Sequence, residues 1–415
     1  MSVTSNLTIN SDRLWTSLME MAEIGPGIAG GNNRQTLTDE DAQGRALFAG
    51  WCEDAGLTLS VDEMGNMFAR RDGTDPTLAS VMVGSHLDTQ PTGGKYDGVL
   101  GVLAGLEVMR TLSDLEIDTK RPVVVANWTN EEGARFAPPM LSSGVFAGQY
   151  DLEFAYSRKD ADGLEFGAEL QRIGWKGPEK VGGMDLYSYL ELHIEQGPIL
   201  EAAGNDIGVV VGVQGLKWLQ FTLTGREAHT GSTPMDMRIN ASLAMGRIID
   251  MVDGLIQSHQ PNAMAAVGHL ECKPNSRNVM PGQIDMTVDL RSPDAALLDQ
   301  LHAEIEQKSR AICDLLGVGC TVELSGHYAP VEFDASLCDI VRTQAKSLGL
   351  PYQDITSGAG HDACWLSKVT PSVMIMCPCV DGISHNEAEE ISPQWAKAGA
   401  DVLLASVVEI ANRAP

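Results

Sequence analysis

The sequence predicts a two-domain α/β protein, with a large mixed-sheet domain interrupted by an inserted domain of β-α-β-β-α-β order. Three observations lead there. At 415 residues the chain exceeds what one hydrophobic core usually supports. Both its first half and its last part alternate helical patterns with short, continuously apolar strands. Between them, from Gly215 to Tyr328, the pattern changes to the ferredoxin-like order. The boundaries are expected near 214 and 328, which gives 1–214 with 328–415 as one domain and 215–327 as the insert.

In the first part, Thr38 followed by Asp41 resembles a helix N-cap. Leu47 and Trp51 then recur on one face until Gly56. Leu57 to Val61 and Asn66 to Arg70 read as paired strands around Met64-Gly65. Ser80 to Val83 is a buried strand running into His86, and Val99 to Leu112 is an apolar helix. Pro122 to Trp128 is a second apolar strand leading to Glu131. Strands of this kind are covered on both faces in a parallel or mixed sheet. Functional groups there collect beyond the carboxyl ends, where His86 and Glu131 fall. In the insert, Trp218–Thr224, Ala263–Leu270, Gln283–Leu290 and Cys320–Leu324 are strands, while Asn240–Ile256 and Ala295–Leu316 are helices. Asp334–Leu348 is then helical, Ser372–Cys377 is a buried strand feeding His385, and Pro393–Arg413 is a closing helix.

Composition narrows the partners. A net charge of -27 argues against nucleic acid and anionic membranes, since phosphate binding needs clustered Lys and Arg. An anionic substrate must then be held by locally placed cations. Met1 to Arg13 lacks an apolar signal core, and no apolar run is long enough to span a bilayer. The eight cysteines form no CxxC pair, and Cys377-Pro378-Cys379 is spaced too tightly for an ordinary disulfide. Reduced thiols and a cytoplasmic location are the expectation.

The chemistry is concentrated in four stretches: Gly84-Ser85-His86-Leu87-Asp88 with Tyr96-Asp97-Gly98, Asn130-Glu131-Glu132-Gly133, Glu191-Leu192-His193, and Ser384-His385-Asn386. Three imidazoles and two carboxylates suit a pair of divalent ions. Asp88, two residues beyond His86, is expected to accept the second imidazole N–H and fix its tautomer. The glycine-rich turn Gly93 to Gly98 lets Asp97 approach. Two adjacent glutamates past a buried strand repel unless cations neutralise them. One then suits a ligand and its neighbour suits proton transfer. A surface turn, a solvated acidic loop and a solvated edge strand are the ordinary alternatives for each stretch alone. Together, all four land just past buried strands of one sheet.

These segments, with Asn130 through Gly148, Glu191 through Gly197 and Gly225 through Met235, resemble the M20-type metallo-amidohydrolases. Within them the chain is most similar to the branch of N-carbamoyl-L-amino acid hydrolases, β-ureidopropionases and allantoate amidohydrolases. His193, where peptidases usually carry a carboxylate, and the short His86-to-Asp97 spacing favour that branch. The resemblance implies a di-metal catalytic domain and an inserted lid and dimerisation domain. His86 and His193 would hold one ion and Glu132 and His385 the other, with Asp97 bridging and Glu131 as general base. Gln196, His229, Asn278, Arg291 and Gly360 would contact substrate, and His229 would also stabilise an oxyanion. Arg291 suits a bidentate pair with a substrate carboxylate. His361 and Asp362 would support the site or stabilise their turn.

The resemblance therefore implies hydrolysis of the ureido C–N bond of an N-carbamoyl-amino acid or N-carbamoyl-β-amino acid, and a homodimer joined through the lid. Two divalent ions are expected, zinc first, with manganese, cobalt and nickel also suited to the ligands. The alternatives are allantoate hydrolysis, an aminoacylase or dipeptidase on the same scaffold, and a non-enzymatic, metal-stabilised dimeric binding protein.

Overall fold

The computed structural model describes residues 7–413, which form two compact units. One is built from residues up to Val211 and from Phe333 onward, and the other from Gly212–Glu332. Fifteen strands occur among the described residues. They are β1 Thr58–Val61, β2 Met67–Arg71, β3 Ser80–His86, β4 Val123–Trp128, β5 Leu186–Ile194, β6 Ile207–Val213, β7 Gly215–Thr224, β8 Ala228–His229, β9 Met264–Lys273, β10 Val279–Met280, β11 Gln283–Ser292, β12 Gly319–Tyr328, β13 Val331–Glu332, β14 Tyr352–Ser357 and β15 Ser372–Cys377.

The large mixed sheet runs β1-β2-β4-β3-β5-β15-β6-β13, with β14 beside β6. Its centre, β4-β3-β5-β15, is parallel throughout, while β2 and β6 flank it antiparallel. Every residue of β3, β4 and β15 is buried, as their uninterrupted apolar runs require of strands covered on both faces. The helix Val99–Asp114 is apolar nearly all round and is buried accordingly. It packs against β3 and against the helices Ser11–Ala22 and Pro393–Ala411. Caps set the helix starts: Thr38 accepts from the Asp41 N–H, Asp334 from Leu337, and Ser392 from Trp395 with Pro393 at the first helical position. In the helix Asp39–Asp54 the buried stripe is Gly44, Phe48 and Cys52, one residue round from the expected Leu47 and Trp51. That rotation places Asp41 and Arg45 in a buried ion pair at 2.9 Å.

Several elements lie outside the sequence expectation: β6, β14, and the short helices Leu141–Phe146, Leu152–Tyr156 and Phe166–Arg172. The helices are under two turns each, too short for a 3.6-residue period to show. Phe166 and Leu170 nevertheless pack with Leu37, Met64 and Phe136 in a separate apolar cluster.

In the second unit the four long strands are antiparallel in the order β12-β7-β11-β9. In chain order, the fourth lies beside the first, then the third, then the second. Leu219, Phe221, Leu223, Ile284, Met286 and Val288 alternate inward and join Ala244, Ile248, Leu301 and Ile305 of helices Ala241–Gln257 and Ala295–Leu316. Asn240 and Asp294 cap those two helices. β8 and β10 form a separate two-stranded ribbon.

Candidate metal centre

The parallel strands β4, β3, β5 and β15 are neighbours, so their carboxyl ends open on one side of the sheet. His86 ends β3, Glu131 and Glu132 follow β4, His193 is next to last in β5, and the chain leaving β15 reaches His385. The turn carrying Asp97 leads into the helix Val99–Asp114. Residues 86, 97, 131, 132, 193 and 385 therefore meet at one place.

Asp97 sits at the centre. Its Oδ1 is 3.1 Å from His193 Nε2 and 3.8 Å from His86 Nε2. Its Oδ2 is 3.4 Å from His385 Nε2, which is also 3.4 Å from Glu132 Oε2. Two ligand-like triads result, His86–Asp97–His193 and Asp97–Glu132–His385, sharing one carboxylate. Glu131 Oε2 lies 3.4 Å from His86 Nε2. The ring orientations are fixed from behind: His86 Nδ1 bonds the Asp88 carbonyl and His193 Nδ1 the Ile194 carbonyl, each at 2.9 Å. An Nδ1–H donated to each carbonyl leaves Nε2 facing the carboxylates, free to hold a metal ion or, without one, a proton.

This corrects the expectation for Asp88. β3 ends at His86, so the strand alternation that would aim the Asp88 carboxylate at the ring no longer applies. Its carboxylate turns instead to the backbone N–H groups of Glu131 (3.2 Å) and Glu132 (3.3 Å), and Oδ1 stays 3.8 Å from His86 Nδ1. The backbone carbonyl orients the imidazole, and the side chain fixes the glutamate turn.

The electrostatics favour cations. Burial, and then the charges of Asp362 and Glu132, push Glu131 well above its ordinary range. Burial and Asp97 do the same to Glu132. Burial also lifts Asp88 to about 7 and lowers His86 to about 4. Asp97 moves the other way: although burial opposes it, hydrogen bonds from His193 and His385 hold it well below the usual carboxylate range. Burial pulls His193 down, but its bond to Asp97 outweighs this and raises it to about 9. Buried carboxylates gathered around imidazoles thus draw in positive charge, as protons or as metal. Imidazole nitrogens and carboxylate oxygens are donors that zinc, manganese, cobalt and nickel accept, so the residues fit such ions.

Residues 82–409 match the sequence profile of the Peptidase family M20/M25/M40. The chain belongs to this family. The family is metal-dependent. Over 407 residues, 98% of each chain, it is 63% identical to the N-carbamoyl-L-amino-acid amidohydrolase of Rhizobium meliloti. It is 36% identical to the enzyme of that name from Geobacillus stearothermophilus, over 97% of this chain and 99% of the relative. Among solved structures, an amidase of the hydantoinase/carbamoylase family from Burkholderia multivorans superposes with a TM-score of 0.96 at 49% identity, covering 99% of this chain and 100% of that one.

The remaining sequence-selected residues divide between the two units. Gln196, at φ 56°, donates from Nε2 to Asp97 Oδ2 at 2.8 Å. Gly360 lies against Met140, directly before His361. His361 is buried with its ring centroid 4.5 Å from that of His193, and Asp362 Oδ1 accepts from Ser143 at 2.5 Å. In the second unit, His229 of β8 pairs with Val279 of β10, and the Thr230 N–H bonds the Asn278 carbonyl at 3.0 Å. His229 and Asn278 are therefore close to each other. His229 Nδ1 accepts from the N–H groups of Gly231 and Ser232, so its Nε2 carries the proton. Arg291, next to last in β11, pairs with Asp289 at 2.8 Å.

Sequence reasoning missed Gln90, Ser384 and Glu389. Gln90 donates to Glu132 Oε2 at 2.7 Å, and Ser384 donates to Asp97 Oδ2 at 2.9 Å. Gln90 adjoins the Gly84–Asp88 stretch and Ser384 lies within the Ser384-His385-Asn386 stretch, which was the available signal. Asn130, Gln196 and His385 all have positive φ (63°, 56° and 52°), a conformation that costs about 1–3 kcal/mol for such residues and concentrates at functional sites.

Proposed function

We propose that this chain hydrolyses the ureido C–N bond of N-carbamoyl-L-amino acids, releasing the amino acid, carbon dioxide and ammonia. The reading is carried by one observation: Asp97 divides its two oxygens between two imidazole-containing triads while Glu131 stands free of both beside His86. The high identity to amidohydrolases named for that substrate supports it.

In this reading His86, Asp97 and His193 hold one divalent ion and Asp97, Glu132 and His385 the other, zinc first among candidates. When bound, the ions supply Lewis acidity towards the ureido carbonyl and towards water. Glu131, kept basic and close by burial among like charges, takes a proton from the attacking water and returns it to the leaving nitrogen. Asp88 holds the backbone beneath Glu131 in register. Gln196 and Gly360 border the reacting group. The second unit, proposed as a ferredoxin-like lid and dimerisation module, contributes His229 Nε2–H to the developing oxyanion and Asn278 with Arg291 to the substrate carboxylate. Exposed apolar residues on its two edge strands, Met264, Leu270 and Leu324, support the homodimer. We place the enzyme in the cytoplasm, a compartment that its unpaired cysteines suit.

Ammonia release from N-carbamoyl-L-amino acids, N-carbamoyl-β-alanine and allantoate, measured with each metal, tests the substrate. Comparable rates on N-acyl-amino acids or dipeptides would replace the reading with an aminoacylase. Glu131→Gln should keep the native metal content and lose at least about 10³-fold in turnover, within the range general acid–base catalysis contributes. Retained turnover removes Glu131 as the base.

A further inference from the structure

Glu389 is a buried carboxylate, 5% exposed, with no part in the reaction described above. Its Oε1 accepts from two successive backbone N–H groups, Tyr96 at 3.0 Å and Asp97 at 3.1 Å. Its Oε2 lies 3.0 Å from the Ser384 hydroxyl, which is itself 2.9 Å from Asp97 Oδ2. Each of these partners belongs to a segment carrying a proposed ligand, Asp97 on one side and the residue before His385 on the other. Space for the carboxylate comes from Gly94, where a Cβ would sit 2.0 Å from Glu389 Oε1 and 2.1 Å from its Cδ. Only glycine admits that contact. Burying a carboxylate costs free energy that an apolar filler would not, so packing alone does not account for a glutamate here.

We infer that Glu389 is a positioning residue for the metal centre. Its carboxylate pins the Asp97 turn to the Ser384–His385 loop and so sets the spacing between the bridging carboxylate and one terminal imidazole. Partners behind a ligand usually tune metal affinity by about 10–100-fold. Here the partner orients two ligands from distant parts of the chain through their backbone and through Ser384. The inference rests on the di-metal reading above.

The test uses the full chain stripped of metal and titrated with Zn²⁺ against a competing chelator, alongside melting of the metal-free protein. The native chain should bind two ions. Glu389→Ala should weaken at least one by about 10-fold or more while the metal-free melting temperature stays within a few degrees. Gly94→Ala, which displaces the same carboxylate, should reproduce that loss. Glu389→Gln keeps an oxygen for the two backbone N–H groups and should recover most of the affinity. It also serves if the alanine variant does not fold. Native affinity and stoichiometry in Glu389→Ala and Gly94→Ala overturn the inference, as does an affinity loss that only tracks lowered metal-free stability. A native chain that binds no ion overturns the di-metal reading itself, and this inference with it.

Discussion

Gly98→Ala is the substitution whose consequence the geometry fixes most tightly. Gly98 follows Asp97, caps the helix Val99–Asp114 and has φ 68°. An added Cβ would lie 2.3 Å from Cε1 and Nε2 of His86 and 2.4 Å from Nδ1. Ordinary contact begins near 3.4 Å, so the ring must withdraw by about 1 Å, and a shift of that size is enough to matter at a reacting centre. The ring is 1% exposed and tied to the Asp88 carbonyl at 2.9 Å, so it cannot withdraw without loss. Left-handed strain costs about 1–2 kcal/mol, overpacking about 1–3, and a weakened hydrogen bond about 1. The metal-free protein should therefore lose about 3–6 kcal/mol in urea unfolding, and affinity for the ion proposed to sit on His86 should fall by at least about 10-fold. Gly50→Ala is the control, because it lies in the helix Asp39–Asp54 with open space around its Cβ. It should be neutral or stabilising by up to about 1 kcal/mol. If Gly98→Ala matches the control in both measurements, the His86 ring does not lie against Gly98.

Two further outcomes follow from other parts of the chain. Asp62 accepts from the N–H groups of Met64 and Asn66 and from Asn66 Nδ2, yet burial raises it to about 6. A raised carboxylate contributes stability that is complete below its unfolded pKa and is lost as pH climbs through the folded value. Asp62→Asn should therefore gain on the native chain by about 1 kcal/mol between pH 5 and 7.5, over a constant offset from the altered Asn66 contact. Parallel urea-stability profiles for the two proteins would show that the group is not perturbed. For the proposed dimer, mixing His229→Ala chains with Glu131→Gln chains should restore activity if His229 serves the neighbouring subunit. An inactive hybrid assigns His229 to its own.

The central sheet and its loaded edge were readable because apolar runs end abruptly in the residues that do chemistry. Ser80–Val83 leads to His86, Pro122–Trp128 to Glu131, and Ser372–Cys377 towards His385. β5 was less plain: Glu191, His193 and Glu195 alternate as on a solvated edge, but β3 and β15 flank the strand and bury them. Glu191 there accepts from Ser85 and from the Ala363 N–H. What sequence did not show depends on where a strand stops. Asp88 was aimed by an alternation that ends two residues earlier, and its partners are backbone groups no residue code reveals. Gln90, Ser384 and Glu389 act on backbone or on other ligands, and polar residues in loops have many ordinary uses. β6 escaped because its Gly-interrupted run adjoins the insert.

The order of the metal-centre segments along the chain has a consequence for synthesis. Ser384 meets Asp97 across 287 positions, and the whole second unit is translated between them. When the second unit has been translated, β15 and His385 have not, so Asp97, Glu131 and Glu132 are present without the last imidazole of the proposed centre. Assembly of the proposed centre must wait until His385 has left the ribosome, and chains arrested before it should be unable to retain both proposed ions.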